Sequence, residues 1–438
     1  MYFISKDIMY NSKITKTRSI FICSFVLKVP RQTFSTTTST LATSFASNIP
    51  PSILSKQRLN LLEQSGHPLN LIKRRVLNHF SDGMTTSIST VSSNLSRKFR
   101  CFDKELDPIV TTMQNFDELL TPLEHVSRKP TDTFYVSPDK VLRCHMTAHQ
   151  TTLLKEGHRA FLMAGNVFRR DSIDATHYPV FHQIDGVRVF TQSELPVEAK
   201  VSPQAETEFV INDLKSELEG LARSLFGSDA KVRWVEAYFP FTEPSLELEI
   251  FYEGQWLELL GCGMIRKTIL NNCNLEKNAI GWAFGMGVER LAMAVFGIPD
   301  IRLFWSNDER FLSQFRQAAE AEARSEKNKS PLYAFKFQPY SKYPHCYKDV
   351  AFWLPTPSES RPMLHENDFC AVVREVAGDL CERVELVDSF INKKTGRSSQ
   401  CYRITYRSMD RTLENDEVDQ IQNQVREQIQ KELNVELR

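Results

Sequence analysis

The sequence lacks three features that often point to a function: excess charge of one sign, closely spaced cysteines and a long apolar run. Its 54 lysines and arginines balance 54 aspartates and glutamates, so a nucleic-acid partner must be bound through local basic patches. The most apolar stretch, SIFICSFVLKV at 19–29, is interrupted by Lys28, so we expect a soluble protein without a membrane span. The 438 residues and 41% hydrophobic content allow two or three domains.

The nine cysteines are scattered and include no CxxC pair, which favours reduced thiols in an intracellular protein over a zinc or disulfide framework. His145 and His149 stand four residues apart, as zinc ligands on helices do. The glutamate that metalloproteases place after the first histidine is missing, so substrate contacts are the preferred interpretation of both.

Residues 1–62 contain eight basic side chains and one acidic one, together with the tract FSTTTSTLATSFAS. This composition is typical of an organellar transit peptide. A secretory signal is the alternative, because IFICSFVL could form a short apolar region after Arg18. The scattered cysteines and the serine-rich continuation favour the organelle.

Further along, apolar residues at helical spacing predict an amphipathic helix over 67–80, and the serine- and threonine-rich residues 81–96 predict a loop. A large domain of strand-like runs follows from about 115 to 315. The alanine- and charge-rich segment 310–330 predicts a helix that fades into a linker. The remaining chain predicts the order βαββα, with a possible last short strand, which fits a ferredoxin-like domain.

The stretch FRRDSIDATHYPVFHQIDGVRVF, at 168–190, predicts a strand end, a long loop and a second strand. Side chains of a strand alternate between its faces, so Phe181, Gln183 and Asp185 share one face at steps of about 7 Å. A ring, an amide and a carboxylate on one face suit a partly polar ligand, although a solvated edge strand would also explain them. Arg169 and Arg170 have the planar guanidinium that binds phosphate well.

The segment GWAFGMGVERLAMAVFGIPDIR, at 281–302, resembles part of a dinucleotide fingerprint. Arg290 stands where the third glycine would be, and no paired βαβ unit surrounds it, so we reject a Rossmann domain. A strand followed by a helix, with Arg290 directed back into the site, is the better interpretation.

These segments together resemble the class II aminoacyl-tRNA synthetases. VFRRD, with Arg169, is similar to class motif 2, and GMGVERLAM, with Arg290, is similar to motif 3. The longer strings RCHMTAHQ, THYPVFHQIDGVRVF, YFPFTEPS, WLELLGCGM and IPDIRLFW resemble the phenylalanine-specific branch in its monomeric mitochondrial form. The resemblance covers nearly everything after about residue 65. The dimer-forming motif 1 is not recognisable, which is consistent with a monomer.

For ATP, the resemblance implies two catalytic arginines. Arg169 would bind the α-phosphate, and Arg290 would cover the face of adenine opposite Phe181. His177 would add a phosphate contact. Glu258 would lie near the nucleotide and its Mg²⁺, since this ion prefers oxygen ligands.

For the amino acid, the resemblance implies that His145, Thr147, Gln183 and Asp185 bind the ammonium and carboxylate ends. Phe239 and Phe241, two apart and therefore expected on one strand face, would meet the substrate ring edge to face, and Ala283 would form the pocket floor. Members of the family commonly have glutamate in place of Asp185 and serine in place of Thr147, so the shorter Asp185 would reach the ammonium directly or through water. The other implied contacts are Ala148, His149, Gln150, Thr176, Tyr178, Ile184 and Phe284.

For tRNA, the resemblance implies a ferredoxin-fold anticodon-binding domain. Residues 335–438 carry 15 basic and 17 acidic side chains, so only a local patch could bind RNA phosphates. Arg403 and Arg407 share a face of the predicted strand, beside a turn with further basic residues, although a merely solvated basic face would look the same. The predicted patch consists of Lys393, Lys394, Arg397, Arg403 and Arg407.

The expected fold class is therefore α+β, with a class II antiparallel-sheet catalytic domain and a C-terminal ferredoxin-like domain. The expected divisions are a leader at 1–62, a catalytic domain at 63–330, a linker at 331–342 and an anticodon-binding domain at 343–438. The expected activity joins L-phenylalanine to tRNA(Phe) with ATP and Mg²⁺ in the mitochondrial matrix, with a plastid or dual location as alternatives. A paralogue acting on another acceptor, or a non-catalytic RNA-binding relative, are the alternative functions.

Overall fold

The computed structural model describes residues 47–57, 59–81, 99–276, 278–324, 332–339, 343–355 and 364–438. Residues 1–46 of the predicted leader and nearly all of the predicted loop at 81–96 lie outside these ranges. No helix in them combines the length and apolar character that crossing a bilayer requires. The eight cysteines they contain all have free thiols, as expected.

The strands and helices follow in chain order. The strands are β1 Arg100–Phe102, β2 Ile109–Thr111, β3 Tyr135–Ser137, β4 Lys140–Leu142, β5 Ala160–Phe168, β6 Val180–Phe190, β7 Val232–Ala237, β8 Thr242–Tyr252, β9 Gln255–Ile265, β10 Ile280–Gly287, β11 Cys346–Trp353, β12 Cys381–Ile391, β13 Ser398–Tyr406 and β14 Glu436–Leu437. The helices are α1 Pro51–Gln57, α2 Pro68–Ser81, α3 Thr112–Asn115, α4 Gln150–Lys155, α5 Pro203–Phe226, α6 Lys267–Asn271, α7 Val288–Phe296, α8 Glu309–Arg324, α9 Glu366–Ala377 and α10 Asn415–Leu433.

The large domain is built on a seven-stranded sheet with the order β1-β5-β6-β10-β9-β8-β7. All neighbours pair antiparallel except β1 and β5, which are parallel. Strand β6 lies between β5 and β10, and a second small sheet has the order β2-β4-β3. The expected antiparallel-sheet domain is therefore confirmed.

Helices α2, α5, α7 and α8 contribute to one large core with the sheet, and we call that side of the sheet the helix face. Helix α5 shows how the sequence directs this packing. It begins with a Ser202 cap, whose hydroxyl accepts a hydrogen bond from the Ala205 amide, and it ends at Gly227, which has a positive φ. Between them, Val210, Leu214 and other residues at three- and four-residue spacing are buried. The opposite side of the sheet, which we call the site face, has a separate smaller core.

The C-terminal domain has the sheet order β12-β13-β11-β14, with α9 and α10 contributing to its core. The connection βαββαβ confirms the expected ferredoxin-like topology, including the last short strand. Along β13, Tyr402, Ile404 and Tyr406 are buried, as the alternation predicted.

This domain contacts the loop at 169–179, which joins β5 to β6. The backbone amide of Val384 donates to the carbonyl of Ile173 at 3.0 Å, which connects the two domains directly through their main chains. Further hydrogen bonds run from Asn367 to the Arg170 carbonyl, from Arg374 to the Asp171 carbonyl and from Tyr178 to the Asp379 carboxylate. The conformation of this loop therefore depends on both domains.

The folded part of the chain begins earlier than the predicted leader boundary at residue 62. Ile53, Leu61 and Leu62 are buried in the main core, and the side chain of Asn48 hydrogen-bonds to the backbone of Tyr135. The partly buried Ile49 also packs against this core.

We predict that Ile53→Ala lowers the free energy of unfolding by about 2–5 kcal/mol, because it removes buried apolar groups and leaves a cavity. Leu54→Ala is the matched control on the same helix, since Leu54 is 45% exposed, and it should change the value by less than about 0.5 kcal/mol. Urea unfolding followed by circular dichroism measures both. Equal effects of the two substitutions would mean that α1 does not pack in solution as it does here.

Candidate active site

The centre of the site is strand β6, whose alternating side chains enter two different cores. Val187 and Val189 pack into the site-face core, together with the partly buried Phe181. Val180 and Ile184 pack into the helix-face core. Gln183 and Asp185 therefore share the site face with Phe181, as the sequence predicted, and both are buried.

Asp185 is a buried carboxylate with capacity for a ligand. Its Oδ2 accepts a hydrogen bond from the Thr147 hydroxyl at 2.6 Å, whereas Oδ1 has no hydrogen-bond partner among the described residues. Burial raises the pKa of this carboxyl. Gly285 lies opposite on β10, where a Cβ would come within 2.7 Å of Oδ1, so only glycine leaves space for the carboxylate. A cation with N–H donors would satisfy Oδ1.

His145 and Gln183 complete the polar end of the pocket. The Gln183 side-chain oxygen accepts a hydrogen bond from the Met146 amide at 3.3 Å, which connects β6 to the turn that carries His145. His145 is buried, and burial lowers its pKa well below the usual value, so the imidazole is neutral at physiological pH. Its ring centroid lies 6.4 Å from that of Phe241.

The aromatic residues of YFPF form the apolar end of the pocket. Phe239 and Phe241 lie in the connection between β7 and β8, so the expectation that they occupy one strand face was wrong. Both are nevertheless buried in the site-face core, with their rings 6.1 Å apart and nearly parallel. Ala283 is buried in the same core.

Arg169 lies beside Phe181, and Arg290 lies beside Glu258. The Arg169 guanidinium is 5.1 Å from the centre of the Phe181 ring, and its Nε donates to the Cys144 carbonyl. Arg290 lies 3.5 Å from a carboxylate oxygen of Glu258. Burial and the neighbouring Glu247 raise the pKa of Glu258 to about 7, with Arg290 acting in the opposite direction. The two motif arginines thus contact Phe181 and a carboxylate with a raised pKa, respectively.

His177 is positioned by a tight turn in the loop between β5 and β6. Asp174 Oδ1 accepts hydrogen bonds from the Thr176 hydroxyl and from the backbone amides of Thr176 and His177, while Oδ2 lies 2.7 Å from His177 Nδ1. The hydrogen bond and charge of Asp174 raise the pKa of His177. Thr176 therefore stabilises this turn through its hydrogen bonds to Asp174.

The side chains of five other predicted contacts pack into other cores or have partners elsewhere. Ile184 and Phe284 point to the helix face, where Phe284 stacks on Phe80. Ala148 packs into a separate small core, and Tyr178 hydrogen-bonds to Asp379 of the C-terminal domain. His149 accepts a hydrogen bond from Arg143 and lines a different cleft of about 510 Å³.

The remaining residue of RCHMTAHQ, Gln150, is buried at the start of α4. Neither atom of its amide has a hydrogen-bond partner in the described part of the chain. A buried amide without a partner costs free energy unless a ligand or water satisfies it, so Gln150 remains a good candidate contact.

Arg170, for which the sequence suggested no ligand, contributes to the contact between the domains. Its guanidinium forms an ion pair with Asp368 at 3.1 Å and donates to the Pro130 carbonyl. The adjacent arginines therefore differ in role because successive residues point in different directions.

The basic patch of the C-terminal domain is largely neutralised by carboxylates. Arg397 pairs with Glu436, Arg403 pairs with Asp349, and Arg407 pairs with Glu382. Lys393 and Lys394 are exposed in the turn between β12 and β13. The two lysines are consequently the more accessible part of the predicted patch.

The sequence interpretation missed two buried residues that shape the site. Arg143 donates to the backbone and the side chain of Asn166, and its Nη2 would come within 2.5 Å of a Cβ at Gly165. Glu289 is buried immediately before Arg290 and bonds to His182. Arg143 lies in RCHMTAHQ and Glu289 lies in GMGVERLAM. Charged residues are normally exposed, so the sequence does not predict that these two are buried.

Two family models match the chain. Residues 74–315 match the tRNA synthetases class II core domain (F), and residues 341–438 match the ferredoxin-fold anticodon binding domain. The first match contains β5, β6, β9, β10 and α7, which carry the site described above. The second match corresponds to the C-terminal domain.

Several curated relatives are similar over most of their length. The chloroplastic/mitochondrial phenylalanine--tRNA ligase of Arabidopsis thaliana is 50% identical over 89% of this chain and 82% of its own. The mitochondrial phenylalanine--tRNA ligase of Dictyostelium discoideum is 46% identical over 89% of both chains, and that of Saccharomyces cerevisiae is 35% identical over 89% and 92%. The chain therefore belongs to the phenylalanine–tRNA ligase family of class II aminoacyl-tRNA synthetases.

Proposed function

We propose that the site face around β6 binds L-phenylalanine and ATP side by side and joins them as phenylalanyl-adenylate. The chain is a mitochondrial phenylalanine–tRNA ligase, and its overall reaction yields phenylalanyl-tRNA(Phe), AMP and diphosphate. The observation that carries the site assignment is the row of Phe181, Gln183 and Asp185 on the site face of β6. Asp185 has a buried carboxylate oxygen without a partner among the described residues, and Phe239 and Phe241 belong to the core on the same face.

The proposed pocket would select phenylalanine through a polar end for its ammonium and carboxylate and an apolar end for its ring. Oδ1 of Asp185 would accept an N–H of the substrate ammonium, and the neutral His145 and Gln183 would hydrogen-bond near its carboxylate. The substrate ring would pack against Phe239 and Phe241 above Ala283. Tyrosine would then be excluded by the lack of space for its hydroxyl beyond Ala283.

Adenylate formation requires the substrate carboxylate to attack the α-phosphate of ATP. Arg169 would stabilise the charge on the pentavalent phosphorus, because its side chain lies between the carboxylate-binding turn and Phe181. Adenine would stack between Phe181 and the Arg290 guanidinium, which would also reach phosphate oxygens. His177 would bind a further phosphate oxygen. No side chain becomes covalently bound, since positioning and electrostatic stabilisation are sufficient.

Enzymes of this class use ATP with a divalent ion, and we propose Mg²⁺ bound as the ATP complex. Glu258 fits this ion, because its carboxylate oxygens are the preferred type of ligand and its raised pKa reflects burial together with the negative charge of Glu247 nearby. A divalent cation would favour the ionised form of Glu258 and would neutralise charge on the phosphates.

We further propose that residues preceding the folded domain form a mitochondrial transit peptide and that the enzyme acts as a monomer. In the second reaction, the terminal ribose of tRNA(Phe) would attack the adenylate, while the C-terminal domain binds the anticodon region. Light scattering of the purified protein tests the oligomeric state, and a fluorescent fusion of residues 1–62 tests the location.

The proposed function is tested by diphosphate exchange with each amino acid, followed by tRNA charging. We expect exchange that depends on phenylalanine and charging of tRNA(Phe). Exchange without charging would indicate a paralogue that uses another acceptor. Failure of both would contradict the assigned site.

We predict that Ala283→Gly admits para-substituted substrates, because it enlarges the pocket floor. The kcat/KM for 4-chlorophenylalanine, relative to phenylalanine, should rise about tenfold or more in diphosphate exchange. Ala164→Gly is the matched control, since Ala164 is buried in β5 on the helix face. An unchanged ratio in Ala283→Gly would place the substrate ring elsewhere.

We predict that the KM for ATP rises by about tenfold as pH increases through the raised pKa of His177, because the ring loses its charge and a charge-assisted hydrogen bond to phosphate. Asp174→Asn should move this rise to lower pH, since it removes the group that raises the pKa; Asp171 and Arg290 remain as the other nearby charges. His177→Gln should abolish the rise. Its persistence in that variant would assign it to another group, such as ATP itself.

We predict that Lys393→Glu combined with Lys394→Glu lowers kcat/KM for tRNA charging about tenfold or more and reduces its salt dependence, because two phosphate contacts are lost. Diphosphate exchange should remain unchanged. Lys431→Glu, a charge reversal in the last turn of α10, is the control. Equal losses of charging and exchange would contradict a specific role of the turn in tRNA binding.

A further inference from the structure

Glu289 is a buried acid with two hydrogen bonds to a single residue of another element. It is 2% exposed and lies in the first turn of α7, directly before Arg290. Its Oε2 accepts from the backbone amide of His182 at 2.8 Å, and its Oε1 accepts from His182 Nδ1 at 2.6 Å. His182 directly follows Phe181 in β6. The carboxylate thus connects the residues next to Phe181 and Arg290.

The position of this contact explains why a side chain is needed. The pairing of β6 with β10 ends at Gln183 and Gly287, because the chain turns into α7 after Gly287. The amide of His182, one residue beyond, therefore has no carbonyl of β10 opposite it. The Glu289 carboxylate accepts this hydrogen bond instead. It thereby connects β6 to α7 beyond the last residue pair of β6 and β10.

The imidazole of His182 is fixed from a second side. The Trp305 ring packs against it, with ring centroids 5.9 Å apart and planes 27° apart, and Trp305 in turn stacks on Tyr178. The imidazole is 1% exposed, so it has little freedom to rotate. Glu289 consequently bonds to a rigid partner.

Stability alone gives little reason to bury such a pair. Removing charged groups from water costs free energy, and apolar residues of similar volume are often as stable or more stable in the same place. A buried pair with directional hydrogen bonds does, however, fix the relative position of two elements. Here these elements carry Phe181 on the site face of β6 and Arg290 at the start of α7.

We propose that Glu289 is a positioning residue for ATP, because through His182 it fixes the separation of Phe181 and Arg290 between which adenine binds. This inference rests on the proposed assignment of those two residues to the nucleotide. It predicts a selective effect, since Asp185 and Gln183 are positioned by contacts with Thr147 and Met146 that do not involve Glu289.

The test measures KM for ATP and for phenylalanine separately in diphosphate exchange. Glu289→Leu, which removes both hydrogen bonds, should raise KM for ATP about tenfold or more and leave KM for phenylalanine within about twofold. Glu289→Gln keeps one acceptor oxygen and should raise KM for ATP by a smaller factor. His182→Phe keeps the backbone hydrogen bond and should also have an intermediate effect.

Val295→Ala is the matched control, because Val295 is a fully buried packing residue in the same helix. It should lower Tm without changing either KM. Equal changes of both KM values in the Glu289 variants would overturn the proposal. If Glu289→Leu does not fold, unchanged KM for ATP in Glu289→Gln and His182→Phe would overturn it as well.

Phe181→Ala and Arg290→Ala separate failure of this inference from failure of the proposed function. If neither raises KM for ATP, the proposed nucleotide site is wrong, and the positioning role is lost with it. If both raise it while the Glu289 and His182 variants do not, only the positioning role is wrong.

Discussion

The two-residue repeat of β6 is the constraint on which the site depends. Because β6 pairs with β5 and β10 on its two edges, its side chains can point only to the two faces of the sheet. Val180 and Ile184 pack against the helices on one face, while Phe181, Gln183 and Asp185 lie on the site face, where we propose that the ligands bind. A shift of one residue would exchange the two sets, so packing on the helix face also fixes the chemistry on the site face.

Charged groups in this fold differ by where their partners lie. Arg170 and Glu289 pair with Asp368 and His182, and Arg302, which follows α7, donates to the Asp379 carbonyl, so that all three connect elements or domains. Asp185 keeps one buried carboxylate oxygen without a partner in the described residues, and Glu258 has a pKa raised to about 7. Unsatisfied buried charge costs free energy in the free protein, and the proposed substrate ammonium would offset this cost at Asp185.

The sequence predicted the architecture well because its signals are local. Alternation, helical spacing and turn residues identified β6, α7 and the ferredoxin-like order of the last domain. The same alternation excludes Ile184 and Phe284 from the pocket, although the motif strings had suggested them. What could not be predicted depends on distant contacts: the burial of Ile53, the pairing of Arg170 with Asp368, and the neutralisation of Arg403 by Asp349.

The loop between β5 and β6 makes two sets of contacts, one within the loop and one with the C-terminal domain. Asp174 and His177 form a turn on the side of the phosphates, whereas Ile173 and Tyr178, their neighbours, bond to the C-terminal domain. A shorter connection could not present adjacent residues to two partners. The backbone of Ile173 hydrogen-bonds to β12. The C-terminal domain and His177, the proposed phosphate contact, are therefore connected through a few residues of one loop.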